Sequence, residues 1–289
     1  MSSGNLFEKV KKLRELTGVG FKDCKNALDE NNGDIDKSIE FLRKKGIAKA
    51  SKKMERIAAD GLVCIYEKDN KFSMIEINSE TDFVAKNADF INFAEEISQL
   101  AFSNSGIMED ILNAKMKNKK IVKDSLVDLI SRIGEKINLR RSVFVDLDKS
   151  VNFSYMHSSI KKNIGKVGVL LTLETTKQKS DILNFGKQLA MQVAAASPLV
   201  TDKQDLDQNV LIKEKEIITE ELKNSGKDSK IIDKIATGKL NKFITENTLL
   251  NQEWIMEPKK KVKDILKSVE GKDKIKIKSF VRFKVGEGI

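Results

Sequence analysis

The sequence predicts an α+β protein: a three-helix module, then two related α+β halves, with an antiparallel helical hairpin inserted in the second. Three observations carry this. Apolar residues recur at helical spacing through the first 47 positions, and from Ala58 the period falls to two. One strand-then-helix pattern then occurs twice. Phe90-Ile-Asn-Phe93-Ala-Glu-Glu-Ile97-Ser-Gln-Leu-Ala101, set against Ile182-Leu-Asn-Phe185-Gly-Lys-Gln-Leu189-Ala-Met-Gln-Val193, keeps the Asn-Phe pair and the apolar positions other than Leu100, which faces Gln192. That is the mark of an internal duplication.

Leu6, Val10 and Leu13 stripe a first helix, and Gly18-Val19-Gly20-Phe21 makes a tight turn. Cys24, Ala27 and Leu28 face inward on a second helix, which Asn31-Asn32-Gly33 stops. Asp34 is placed to cap a third, striped by Ile35, Ile39 and Leu42. A unit this small, with a glycine-rich first turn followed by phenylalanine, is similar to ubiquitin-associated (UBA-like) domains, which bind and carry no catalytic groups. Gly46 to Arg56 reads as a helical or flexible linker, so residues 1–54 form the first division.

Leu62–Tyr66 and Phe72–Asn78, joined through Lys68-Asp69-Asn70, form a β-hairpin. The Phe90 helix follows, then a helix over 121–133 with Ile121, Val122, Leu126, Leu129, Ile130 and Ile133 apolar, then a strand from Arg141 to Leu147. Residues 55–147 are thus the first half and 148–289 the second. There Phe153–His157 and Lys166–Leu173 are strands ahead of the Ile182 helix. The hairpin spans 205–250 and turns at Asn224-Ser-Gly226-Lys-Asp. Val210, Leu211, Ile217, Ile218 and Leu222 stripe one arm; Ile231, Ile232, Ile235, Phe243 and Ile244 stripe the other. A protruding hairpin with one narrow apolar seam fits an oligomerisation arm, or a decoration packed on its own body. A helix over 262–269 and a strand over 275–285 complete the chain.

The 289 residues carry 53 Lys+Arg against 43 Asp+Glu, a formal charge of +10. Such an excess permits nucleic-acid binding. The cations are mostly interleaved with acids, however, and only Lys259-Lys260-Lys261 is dense, which also suits a solvated surface. Cys24 and Cys64 lie far apart and suit a reducing compartment. No apolar run approaches the ~20 residues of a membrane span, and the N-terminus carries no basic-then-apolar signal, so a cytoplasmic protein without a membrane partner is expected. The single histidine, His157, excludes a multi-histidine metal site, and no phosphate-binding glycine loop or nucleophile elbow is present. Neither an enzyme nor a cofactor is expected.

One stretch stands apart. Met74–Asn78 runs into Thr81-Asp-Phe-Val-Ala-Lys-Asn87, from which the Phe90 helix leaves. Thr81 or Asp82 can cap the first turn. Phe83, an aromatic on a strand-to-helix tip between an acid and a lysine, is either pulled into the local core or pushed toward a partner. The second half has Leu173-Glu-Thr-Thr-Lys-Gln-Lys at the corresponding place and no aromatic, which argues against a core role.

Thr81-Asp-Phe-Val-Ala-Lys-Asn resembles the signature of the bacterial translation elongation factor Ts family. Leu13-Arg-Glu-Leu-Thr-Gly-Val-Gly-Phe-Lys-Asp-Cys-Lys25, Asn32-Gly-Asp, Ala58-Ala-Asp-Gly61, Ile133-Gly-Glu-Lys-Ile-Asn-Leu-Arg-Arg141, Met256-Glu-Pro258 and Val281-Arg-Phe-Lys-Val-Gly-Glu-Gly288 follow the family pattern in order. The resemblance implies a guanine-nucleotide exchange factor that binds GDP-bound elongation factor Tu and accelerates GDP release. It implies that Thr81, Asp82, Phe83 and Val84 enter the Tu nucleotide domain and dislodge Mg²⁺, with further contacts from Lys25, Ile133, Gly134, His157, Ile255 and Met256. A homodimer through the hairpin would also fit. Two departures stand out: Met191-Gln192-Val193 where the family often has histidine, and no further helix after Gly288. The runner-up reading is a basic nucleic-acid-binding protein.

Overall fold

The computed structural model describes residues 3–17, 19–53, 55–147, 150–223 and 229–289. The expected turn residue Gly18 and the hairpin turn Asn224 to Asp228 lie outside them, as does the side chain of Ile231. Helices α1 (Ser3–Thr17), α2 (Phe21–Glu30) and α3 (Ile35–Lys53) form the N-terminal segment. Val10, Leu13, Cys24, Ala27, Leu28 and Leu42 are its core, and Asp34 Oδ1 accepts the Lys37 N–H at 3.0 Å as the expected cap. The expected linker continues α3 as far as Lys53.

Strands β1 (Asp60–Lys68) and β2 (Lys71–Ser79) pair through a two-residue turn in which Asp69 and Asn70 both take positive φ, a conformation their short polar side chains tolerate. Next come α4 (Asp82–Ala85), α5 (Ala88–Ser103), α6 (Met108–Asn113), α7 (Val122–Ile133) and β3 (Ile137–Val145). The second half holds β4 (Ser150–His157), β5 (Ile164–Gly165), β6 (Val167–Thr175), α8 (Leu183–Ala196), α9 (Gln208–Lys223), α10 (Ser229–Asn247), β7 (Glu253–Trp254), β8 (Glu257–Lys261), α11 (Val262–Glu270) and β9 (Ile275–Lys284). Short α6, two-residue β5 and the β7–β8 pair have too few residues for a readable period.

The two larger sheets run β3-β2-β1-β5 and β4-β6-β9, antiparallel throughout. They pack on each other. Leu62, Cys64, Ile75 and Ile77 face α5 and α7, while their alternates Val63, Ile65, Phe72 and Met74 meet Leu170 and Phe283 of the other sheet. Val169, Leu171 and Leu173 point the opposite way, to α8 and α11. The result is a helix–sheet–sheet–helix stack with both faces of each central strand buried. Gly168 permits the approach: a Cβ there would lie 2.7 Å from Val63 Cγ1 and Met74 Sδ.

The halves match in detail. β2 has a bulge against β3 at Glu76/Ile77, and β6 has one against β9 at Thr172/Leu173. From the bulge to the shared Asn-Phe pair the first half is four residues longer, Ile77 to Phe93 against Leu173 to Phe185. That excess equals the length of α4, the four-residue turn that carries Phe83.

In the hairpin, Ile218 and Leu222 of α9 pack on Ile232 and Ala236 of α10, and Lys239 Nζ reaches Glu221 Oε2 at 2.8 Å. Val210 and Ile217, expected on the seam, face solvent. Two helices bury only one narrow stripe each, and these residues lie outside it.

Candidate functional site

The tip is built on a buried foundation. Val84 and Ala85 sit in the core beneath it, packed with Phe90, Phe93 and Ile97 of α5. Phe83 is 79 % exposed. The ring costs solvent contact that a core position would relieve, so its exposure at a structured turn is an informative departure.

The turn is not capped as the sequence suggests. Thr81 occupies the cap position, but its side chain accepts no N–H from the turn. Instead Thr81 Oγ1 donates to Glu135 Oε1 at 2.7 Å, and the Thr81 N–H donates to Glu135 Oε2 at 3.0 Å. The Glu135 carboxylate takes the hydroxyl proton and the N–H of Thr81 in charge-assisted bonds, and this holds the side chain toward Glu135, away from the N–H groups of the turn. Asp82 does not cap either; Lys86 Nζ donates to its Oδ2 at 2.6 Å. That bond holds the Asp82 carboxyl below its usual range, assisted by the charges of Lys86 and Lys166, and raises the Lys86 ammonium. The α4 turn stops at Lys86, and Asn87 starts α5 by accepting from the N–H groups of Asp89 (2.9 Å) and Phe90 (3.3 Å). The expected amphipathic helix thus leaves the motif at Asn87, and the short turn of α4 precedes it as a separate element.

Beside Phe83 is a shallow hollow lined by Val84, Asn87, Asp89, Arg132 and Ile133. The structure thus brings Ile133 to the tip. Gly134 follows it in the left-handed conformation, φ 88°, as the C-cap of α7. Its N–H donates to Ile130 O at 2.9 Å, and the turn delivers Glu135 to Thr81. Lys166 lies behind the tip, where its ammonium donates to Asp60 Oδ1 and, at 2.9 Å, to Gly61 O. His157 is exposed at the end of β4, its carbonyl accepting the Lys166 N–H at 3.2 Å and its Nδ1 facing the Tyr155 hydroxyl at 3.1 Å.

Lys25 is exposed on α2, on the N-terminal segment. That segment reaches the core through α3 on α7: Arg43 pairs with Asp124 at 3.2 Å, and Gly46 lies so close that a Cβ would stand 2.6 Å from Ser131 Oγ. Ile255 and Met256, both partly exposed, form the turn between β7 and β8. Buried Gln192 holds that turn, accepting the Ile255 N–H at 2.9 Å and donating to Gln252 Oε1 and Glu253 O, each at 3.1 Å. No described contact joins this turn to the Phe83 tip. The expected contact residues therefore fall in separate places: the tip with Ile133 and Gly134, His157 behind Lys166, Lys25 on α2, and the β7–β8 turn.

Reading the sequence missed Glu135 and Glu80 as site residues. Glu80 Oε1 accepts the Lys136 N–H at 2.6 Å, and Arg56 pairs with the Glu80 carboxylate at 3.3 Å. Both glutamates act across more than 50 positions of chain, a distance no local pattern encodes.

Fold and site together define a two-sheet α+β protein that presents a braced aromatic tip. A family model described as Elongation factor TS matches residues 80–287. Elongation factor Ts of Bartonella tribocorum is 41% identical over 283 residues, 97% of this chain and 92% of the relative. Those of Methylorubrum extorquens (42% over 283) and Nitrobacter hamburgensis (41% over 282) cover the same shares. The chain belongs to the elongation factor Ts family. Among the described residues no helix is long and apolar enough to cross a membrane.

Proposed function

We propose that the protein is a non-enzymatic guanine-nucleotide exchange factor of translation elongation, acting in the cytoplasm. It binds elongation factor Tu in its GDP form and accelerates GDP release so that GTP can load. The observation that carries this reading is Phe83, exposed on a turn whose neighbours Val84 and Ala85 are buried. An aromatic held out on a fixed base can enter a partner at small ordering cost.

In this reading Phe83 is the wedge, Thr81 and Val84 hold it, and Asp82 gives up Lys86 to compete for polar groups around the partner's phosphate and metal site. Mg²⁺ on the partner bridges phosphate and switch residues, so disturbing its shell removes a large part of the GDP binding energy. Linkage then requires GDP to weaken the factor's binding by the same degree, which keeps the ternary complex transient. Lys25, Ile133, Gly134, His157, Ile255 and Met256 supply further contacts, spread over the separate places described above. We divide the chain accordingly into residues 1–54, 55–147 and 148–289, with the 205–250 hairpin inserted in the last. Exposed Val210, Ile212 and Ile217 on α9 support a homodimer through that hairpin.

The test is release of fluorescent GDP from purified elongation factor Tu. Acceleration that saturates with added protein supports the reading, and an unchanged release rate overturns it.

A further inference from the structure

We infer that Glu135 and Glu80 form a reciprocal latch that positions the Asp82–Phe83 tip, and that a tip freed from it exchanges nucleotide slowly. The inference rests on the exchange-factor reading and adds two positioning residues to it.

Two chain segments, 80–81 and 135–136, each satisfy the other's backbone with a side chain. Glu135 takes the Thr81 N–H and hydroxyl at 3.0 and 2.7 Å; Glu80 takes the Lys136 N–H at 2.6 Å. Ser79 Oγ closes the base of the loop by donating to Thr81 O at 3.0 Å. Gly134 makes the crossing possible, since its positive φ turns the chain out of α7 at a conformation that strains other residues.

The tip has little else to fix its direction. Asp82 bonds to Lys86 within the same turn, and Phe83 projects into solvent. A helix of four residues has no stability of its own. Val84 and Ala85 anchor the turn from beneath, and the latch anchors its entry. Both glutamates are partly buried, so their bonds are weakly screened and strengthened by charge. A wedge transmits force to a partner only if its base does not yield, and misplacing such a group by an ångström has large kinetic consequences.

The experiment measures fluorescent-GDP release from elongation factor Tu over a range of factor concentrations. It compares wild type, Glu135→Ala, Thr81→Val, the double variant and Thr81→Ser. Amide hydrogen exchange over residues 81–86 is followed in the free proteins. The latch predicts a maximal rate lower by about tenfold in each single variant. It predicts no further loss in the double variant, because the two residues share one interaction. Thr81→Ser, which keeps both donors, should leave amide exchange over residues 81–86 as slow as in wild type. Amide exchange should quicken in both single variants. Glu135→Gln, whose amide oxygen can accept the Thr81 N–H while its NH2 donates to the Thr81 hydroxyl oxygen, serves if Glu135→Ala does not fold, and should lose less rate than Thr81→Val, which loses the hydroxyl bond.

Unchanged maximal rates, or losses that multiply in the double variant, would overturn the latch and leave the exchange reading standing. A loss confined to the half-saturating concentration would also overturn it, since that marks weaker binding by an intact tip. Wild-type protein that releases no GDP would overturn the exchange reading and the positioning role with it.

Discussion

Arg141 on β3 donates through Nε to Oε2 of Glu76 on β2 at 2.6 Å, and Glu76 is fully buried at the bulge of the strand that leads to the tip. Arg140 adds a bond at 3.0 Å, Asn78 another at 3.0 Å, and the Gly286 N–H a fourth at 2.8 Å. The carboxylate thus fastens the two edges of the bulge to the C-terminal segment. Gly286 fits only as glycine: its φ is 73°, and a Cβ would lie 2.0 Å from Ala59 O.

Glu76→Gln should destabilise the protein by about 3 kcal/mol in denaturant unfolding, because it removes the charge that compensates two guanidinium groups. The pH dependence has a definite sign. Burial alone raises the Glu76 pKa, but the bonds from Asn78, Gly286, Arg141 and Arg140 outweigh it and hold the carboxyl below its usual range. Its contribution is therefore complete above the unfolded-state value and is lost as pH falls through the lower folded-state value. Stability measured from neutral pH into that acid range should fall less steeply in Glu76→Gln than in wild type.

Cys24 and Cys64 are both buried, and burial pushes both thiols up. A protonated, enclosed thiol is a poor nucleophile. Native protein at pH 8 should therefore give no fast reaction with a disulfide reagent, and denatured protein should release two equivalents, matching its 2 cysteines. Fast labelling of the native fold would contradict the packing of α2 and β1.

Gln192 ties α8 to the segment Gln252–Ile255 by three bonds, one of them from the Ile255 N–H of the β7–β8 turn. Gln192→Ala should cost about 2 kcal/mol by leaving the buried amide partners unmatched. Gln192→His can restore part of this, since a ring nitrogen can accept the Ile255 N–H. Thermal unfolding of the two variants checks the order.

Much of this architecture is legible in the chain. Stripes such as Val10, Leu13 and Phe90, Phe93, Ile97 announce their helices because burial imposes helical spacing, and the repeated Asn-Phe pair exposes the duplication. The stacking of the two sheets is not legible, since Leu62-Val63-Cys64-Ile65 is apolar on both faces and names no partner for either. The tip residues stand out by their composition. Their bracing does not, because Glu135 looks like any surface acid after a helix until the fold brings it to Thr81. The expected cap failed for the same reason: local propensity could not see a carboxylate arriving from 54 positions away to orient the Thr81 hydroxyl.

The central claim is that Phe83 is a wedge for a partner and contributes nothing to the core. The most direct measurement pairs the rate of GDP release from elongation factor Tu with the unfolding free energy, for wild type and Phe83→Ala. At 79 % exposure the ring should contribute less than about 0.5 kcal/mol to stability. The account predicts an unchanged unfolding curve and a release rate slower by about tenfold or more, the loss expected on truncating an aromatic hot spot. A variant that releases GDP as fast as wild type, or one that loses several kcal/mol of stability, would contradict it.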